Sequence, residues 1–282
     1  MDRKVIITAE STCDLTADIL QGLNIPIIPM YVNIEEVSYK DGVDIQPDVI
    51  FATFETKGIL AKTSAIPVYD YKLFFEKYIE QNYEIVHISL GSKFSSTYQG
   101  ALNASNMLEH VRVVDSGNLS TGYGHTVMLA AEMARDGKSP EGILTELSHF
   151  IPKVKASFVI DTLNYLHKGG RCSSVAALGA NLLQLKPCIE VVDGEMKVAK
   201  KYRGNLERTL KSYVDDKLAD LSKIHPKRIF ITHSSCSDEM VEMVKNAIEQ
   251  KEYFQEIIVT KAGCTISCHC GPNTLGILYY DL

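Results

Sequence analysis

The sequence predicts an α/β protein of two domains: an N-terminal parallel-sheet α/β domain over residues 1–153 and a C-terminal mixed α/β domain over residues 154–282. Three observations carry this. Short apolar runs alternate with helical patterns through the first half, the order that builds a parallel sheet covered by helices. Pro152-Lys153 then interrupts the pattern. Beyond it, Asp193-Gly194 sits between two strand-like stretches and suits a tight hairpin turn, so the second half mixes hairpin and crossover connections.

Val5–Thr8 is a short apolar run that suits a buried strand. The polar stretch Ala9–Asp14 follows, then a helix over Leu15–Leu23 closed by Gly22 and Asn24. Ile25–Ile34 is strand-like, but Pro26 and Pro29 place it at an edge. Pro47–Thr56 predicts a helix with proline early in its first turn. Lys62–Pro67 reads as a polar loop, Val68–Glu80 as a helix and Ile85–Leu90 as a second buried strand. The loop Gly91–Ser95 feeds a helix over Thr97–Glu109, whose start has capping-box spacing at Ser96 and Gln99. Val111–Val114 is a third strand. Helices follow near Tyr123–Arg135 and at Pro140–Phe150, the latter with Ser139 as N-cap. Ligands on such sheets lie beyond the carboxyl ends of the strands, where Glu10–Asp14, Thr63–Ser64 and Ser92–Ser96 are expected to fall.

In the second half, Ala156–Ile160 predicts a strand and Thr162–His167 a short helix broken by Lys168-Gly169-Gly170-Arg171. Val175–Leu185 is apolar on nearly every face, the pattern of a helix buried all round or lining an apolar cavity. Ile189–Val192 and Met196–Tyr202 form the hairpin, and Asn205–Ile224 reads as a long amphipathic helix. Arg228–Thr232 (strand), Asp238–Gln250 (helix), Ile257–Lys261 (strand) and Gly276–Tyr280 (strand) complete the chain.

Composition narrows the function. A formal net charge of −6 and the lack of a basic cluster argue against nucleic acid as a partner. Seven cysteines, odd in number and irregularly spaced, argue for a reducing compartment rather than a disulfide scaffold. No apolar signal core follows the basic residues at the N-terminus, and no apolar run is long enough to cross a bilayer, so a cytoplasmic location is expected.

The stretch Gly263–Gly276 holds a histidine between two cysteines, with small hydroxyl residues and several turn-formers, and reads as a tight loop. Cys264, Cys268, His269 and Cys270 offer soft donors for a metal. Structural zinc, however, usually takes paired ligands from two separated loops, and there is no CxxC elsewhere in the chain. A thiolate–imidazole pair of Cys268 or Cys270 with His269 is a second possibility. The preferred reading is an anion site. Its donors would be the orphan N–H groups of the helix opening at Ser96, the hydroxyls of Ser95, Thr63 and Ser64, and one imidazole. Ser95, not needed for the cap, would be the freer hydroxyl. Gly169-Gly170 permits close approach of another surface, and Arg171 and Arg203 supply guanidinium groups for a carboxylate or phosphate.

Several stretches in order and spacing carry a resemblance: Ser11-Thr12-Cys13-Asp14-Leu15, Lys62-Thr63-Ser64, Phe94-Ser95-Ser96-Thr97-Tyr98-Gln99, Val114-Asp115-Ser116, Lys168-Gly169-Gly170-Arg171, Leu185-Lys186-Pro187 and His269-Cys270-Gly271-Pro272. Together they resemble the DegV family, the fatty-acid-binding subunits that work with bacterial fatty acid kinase. The resemblance implies a two-domain α/β protein with a ligand tunnel between the domains that holds one long-chain fatty acid. It implies that Thr63 and Ser95 bind the carboxylate, that His269 completes the network with Ser64, Ser96 and Gly271 close by, and that Arg171 and Arg203 lie near the head group and the kinase-docking face. The implied protein is not an enzyme on its own and needs neither metal nor cofactor. A separate ATP-dependent kinase subunit phosphorylates the bound carboxylate, and the acyl phosphate passes to phospholipid synthesis through a phosphate acyltransferase. The chain departs from the family pattern at Glu10, where aspartate is usual. It departs again at Ala65-Ile66, which precede Pro67, and at Ser96, where glycine is usual.

Overall fold

The computed structural model describes residues 3–172 and 185–282. The apolar helix expected at Val175–Leu185 lies outside the described residues, apart from Leu185, which opens a strand.

The first sheet is wholly parallel. Its strands are β1 (Lys4–Glu10), β2 (Ile27–Ile28), β6 (Tyr83–Ser89) and β7 (Val111–Asp115), in the order β2-β1-β6-β7. Ile6 lies opposite Ile85, and Ile88 opposite Val114. These strands are apolar through their middles because both faces are covered, as parallel sheets require.

A small antiparallel sheet, β4-β3-β5, is made of β3 (Tyr31–Ile34), β4 (Val37–Lys40) and β5 (Lys62–Ser64). It corrects two expectations. Ile25–Ile34 is two short strands in different sheets. Thr63 and Ser64 lie on an antiparallel strand rather than at the carboxyl end of a parallel one, with Val32 opposite Thr63.

The second sheet is mixed. It holds β8 (Val154–Val159), β9 (Leu185–Val192), β10 (Glu195–Arg203), β11 (Arg228–Ser234), β12 (Glu256–Lys261) and β13 (Thr274–Tyr280), in the order β10-β9-β8-β13-β11-β12. The Asp193-Gly194 hairpin forms as expected, with both residues at positive φ. Among the described residues only β11 and β12 pair in parallel within this sheet.

The helices are α1 (Ala17–Gly22), α2 (Pro47–Lys57), α3 (Val68–Glu80), α4 (Thr97–Ser105), α5 (Ser120–Arg135), α6 (Pro140–Phe150), α7 (Asn164–Gly169), α8 (Leu206–Lys217), α9 (Asp238–Glu249) and α10 (Cys264–Cys270). Ser139 caps α6 as expected, accepting from Gly142 N–H at 3.2 Å. The helices expected at Thr97–Glu109 and Asn205–Ile224 stop earlier, at Ser105 and Lys217. No helix among the described residues is long and apolar enough to cross a membrane.

Helix α5 ties the two large sheets together. One continuous core joins Ile7, Val86 and Ile88 of the first sheet to Ala156, Phe230 and Leu278 of the second through Tyr123 and Val127 of α5. Its small residues make this possible. A Cβ at Gly124 would lie 2.8 Å from the Cys13 carbonyl, and one at Gly122 would lie 3.0 Å from Ala156 Cβ. The N-terminus of this buried helix, at Leu119 and Ser120, lines the cavity described next.

Candidate functional site

One side of the cavity is built on a buried carboxylate. Glu10, the last residue of β1, is fully buried and accepts from Tyr71 (2.8 Å), Ser89 (2.7 Å), Tyr123 (2.6 Å) and the Leu90 N–H (2.9 Å), with His87 Nε2 at 3.2 Å. Burial pushes its pKa up, but His87 and the hydroxyl donors outweigh that and hold it at about 2. Glu10 therefore clamps the start of the Leu90–Ser96 loop. Tyr71, its proton committed to Glu10, accepts from the Thr97 hydroxyl at 2.7 Å, and the Thr97 N–H in turn donates to Ser95 Oγ at 3.2 Å.

Ser95, not Ser96, therefore serves the start of α4. Ser96 makes no capping hydrogen bond, and the Gln99 amide donates forward to Asn103 at 2.8 Å instead of back to the helix start. The Ser95 oxygen accepts from backbone while its proton has no acceptor among the described residues.

The other side is α10. Instead of a loop, Gly263–Gly271 holds a helix whose first N–H groups meet carboxylates from far along the chain. Gly263 N–H donates to Asp14 at 2.9 Å. The Cys264 and Thr265 N–H groups donate to Asp41 at 2.7 and 3.0 Å. Desolvation raises Asp14 to about 8, despite hydrogen bonds from Ser120 and Gly263, and the nearby Asp41 adds to the rise. Gly271 ends the helix at φ +77, and a Cβ there would lie 2.6 Å from the Tyr165 ring. Its role is to turn the chain against Tyr165; it does not reach the cavity wall.

The helix sends its cysteines and histidine in different directions. Cys264 Sγ lies 3.3 Å from the Ile45 carbonyl, Cys268 packs with Tyr165 and Phe51, and Cys270 Sγ lies 3.6 Å from the Gly271 carbonyl. Burial raises all three thiols, Cys264 and Cys270 to about 12, which opposes thiolate chemistry. Among the described residues no three His, Cys, Asp or Glu side chains converge on a point where a metal could sit.

His269 faces Thr63 instead, with Nε2 2.8 Å from Thr63 Oγ1. Burial, and then the Arg171 charge, lower its pKa to about 4, so the ring is neutral near pH 7. Its Nδ1 is buried without a partner among the described residues, and a Cβ on Gly169 would lie 2.5 Å from that atom. A buried orphan N–H is rarer than an orphan acceptor, which assigns the proton to Nε2. His269 then donates to Thr63, and the Thr63 proton stays available to a ligand.

Ser64 lies at the mouth, its Oγ accepting from Asn33 at 3.1 Å. Arg171 also lines the cavity, steadied by a 2.6 Å bond to the Gly169 carbonyl. Arg203 ends β10 opposite Leu185, exposed and away from the cavity wall. The structure thus gathers Thr63, Ser64, Ser95, Ser96, Arg171 and His269 around one cavity of about 140 Å³, without Arg203 or Gly271. Apolar walls come from Leu90, Phe94, Leu119, Phe158, Leu166 and Met196. A second, polar wall of Ser120, Thr232, His233, Ser234 and Thr265 was not foreseen from sequence. Thr265 lies in the Gly263–Gly276 stretch described above, and the other four carry no motif of their own.

The site can hold an amphipathic ligand. Two hydroxyl protons and a guanidinium suit an anionic head, and the apolar walls suit a hydrocarbon.

Comparisons with known proteins agree in covering the whole chain. The model of the DegV family, described as uncharacterised proteins, matches residues 4–282. A DegV domain-containing protein of Clostridium acetobutylicum is 34% identical over 280 residues, 99% of each chain. Among solved structures, a DegV family protein from Thermus thermophilus, described for its fatty acid binding, is 27% identical with a TM-score of 0.90, over 99% of this chain and 100% of that one. A DegV lipid-binding protein from Thermotoga maritima is 28% identical with a TM-score of 0.85, over 99% of both.

Proposed function

Because this chain belongs to the DegV family, we propose that it binds one long-chain fatty acid in the cavity between its two large sheets and presents the carboxylate to a separate ATP-dependent fatty acid kinase subunit. The observation that carries this reading is the pairing of Thr63 with His269 in the wall of the cavity that Ser95 also lines. Both hydroxyl oxygens are already hydrogen-bonded within the protein, which leaves both protons for a carboxylate. A desolvated carboxylate needs such donors. The tail supplies affinity at about 0.8 kcal/mol per buried methylene.

In this reading the protein is a carrier without chemistry of its own. It shields a poorly soluble chain and leaves the head within reach of the kinase, with Arg171 at the mouth to meet the transferred phosphoryl group. Arg203, exposed on the β10 end, serves the docking face. The acyl phosphate formed then goes to a phosphate acyltransferase in phospholipid synthesis. The raised thiols of Cys264, Cys268 and Cys270 oppose the alternative of a self-sufficient cysteine enzyme.

Denaturing extraction and mass spectrometry of freshly purified protein test the carrier role. A co-purified fatty acid, or uptake of added acid by stripped protein, is expected; finding neither would overturn it. For the kinase step, loaded protein with ATP and a fatty acid kinase subunit should yield acyl hydroxamate when hydroxylamine is added. The same mixture lacking the kinase subunit should yield none.

A further inference from the structure

The polar wall of the cavity comes from the end of β11, the start of α5 and α10. Most of its hydroxyls are committed. Thr232 pairs with Thr121 at 2.5 Å and with Thr260 at 2.9 Å, Ser234 pairs with Ser267 at 3.1 Å, and Ser120 donates to Asp14. Two side chains are not committed. His233 is 5% exposed, and neither of its ring nitrogens has a hydrogen-bond partner among the described residues. Thr265 is 4% exposed, and its hydroxyl has no partner there either. Buried polar groups are normally paired, so two unpaired ones lining one cavity call for a polar atom from outside the protein. The N-terminus of α5 opens at the same wall with no side chain capping it, and it favours oxygen there.

The chemistry narrows that atom to a hydroxyl. Burial keeps the His233 imidazole neutral, so it offers one donor and one acceptor, as does the Thr265 hydroxyl. A hydroxyl also donates and accepts. A second carboxylate is disfavoured because the Asp41 carboxylate already accepts from the Thr265 N–H beside this wall.

We propose that the preferred ligand is an oxygenated acyl chain, a long-chain fatty acid whose hydroxyl is held by His233 and Thr265. This rests on the fatty-acid reading of Thr63, Ser95 and His269. Thr265 precedes His269 by four residues on one helix, which places the two side chains about 5–6 Å apart at Cβ. The hydroxyl therefore sits nearer the carboxylate than the methyl end.

The test uses the full chain stripped of lipid. Affinity is measured for an unsubstituted 18-carbon acid and for 18-carbon acids hydroxylated at successive positions. One isomer substituted in the carboxylate-proximal half should bind at least about tenfold tighter than the unsubstituted acid. That ratio should collapse toward one in Thr265→Val and in His233→Phe; if His233→Phe does not fold, Thr265→Val decides. The proposal is overturned if no hydroxylated isomer outbinds the plain acid, or if the ratio survives in Thr265→Val. Binding of the plain acid alone would leave the carrier reading intact and remove only this inference. Failure of every acid to bind would remove both.

Discussion

His269 Nε2 and Thr63 Oγ1 lie 2.8 Å apart although 206 residues separate them in the chain. The contact joins the small antiparallel sheet to α10, and both residues line the cavity, as Ser95 does. Replacing Thr63 or Ser95 by alanine should weaken fatty acid binding by about 1.5–3 kcal/mol, the usual value of a hydrogen bond to a charged group. Competitive displacement of a fluorescent fatty acid would measure it. Unchanged affinity in either variant would take that residue out of the carboxylate site.

Much of this arrangement is legible in the sequence. The parallel sheet shows because Val5–Thr8 and Ile85–Leu90 are short, largely apolar runs between polar stretches. Thr63, Ser95 and His269 show only as members of motifs whose order matches a family, since nothing local says that they meet. Helix α10 is hidden because the groups that satisfy its first turn, Asp14 and Asp41, lie more than 200 residues away, so no local capping pattern exists. The β5 strand is three residues long, too short for alternation to reveal. Ser95 and Ser96 are adjacent hydroxyls, and which one serves the helix depends on the Glu10–Tyr71–Thr97 chain behind it. His233 reads as an ordinary strand end; only burial without a partner marks it.

Stability should fall in acid partly through His269. Its pKa is about 4 in the folded chain against the ordinary 6.5, so between these values the unfolded chain binds the extra proton. The loss therefore develops as pH drops from 6.5 toward 4, by about 2 kcal/mol once partial exposure of the ring is allowed for. Denaturant titrations across this window should show a shallower decline in His269→Gln. An identical pH profile would mean that the ring is not held neutral.

Asp14 should act in the opposite direction. Its carboxyl is raised from 3.8 to about 8, so the folded chain holds the extra proton over that range and stability is lost as pH rises through it. Asp14→Asn keeps an acceptor for the Gly263 N–H and removes the titration. It should be closest to wild type near pH 4 and gain on it steadily as pH rises, until at pH 8 it is more stable by more than about 2 kcal/mol. A melting difference independent of pH would contradict a protonated Asp14.

Glu10 tests the support beneath Ser95. Glu10→Leu strands the hydroxyls of Tyr71, Tyr123 and Ser89 and the Leu90 N–H, and should cost about 3–5 kcal/mol, as breaking a buried charged network does. Thermal melting would report it. A loss below about 1 kcal/mol would mean that the donors find other partners.

Gly169 offers a way to disturb His269 without touching a group that binds ligand. A methyl at Gly169 would lie 2.5 Å from His269 Nδ1, closer than carbon and nitrogen approach, so the ring must move. Its backbone is not in the left-handed region, unlike the neighbouring Gly170 at φ +67, so alanine brings no backbone strain. Tilting the ring lengthens the bond to Thr63 and turns the Thr63 proton away from the cavity. Gly169→Ala should therefore lower fatty acid affinity about tenfold while the melting temperature moves by only a few degrees. An NMR titration of the His269 ring serves as the second measurement, since a displaced imidazole regains water and its pKa climbs from about 4 toward 6.5. If affinity and the ring's titration both match wild type, the contact between Gly169 and His269 does not hold the imidazole in place.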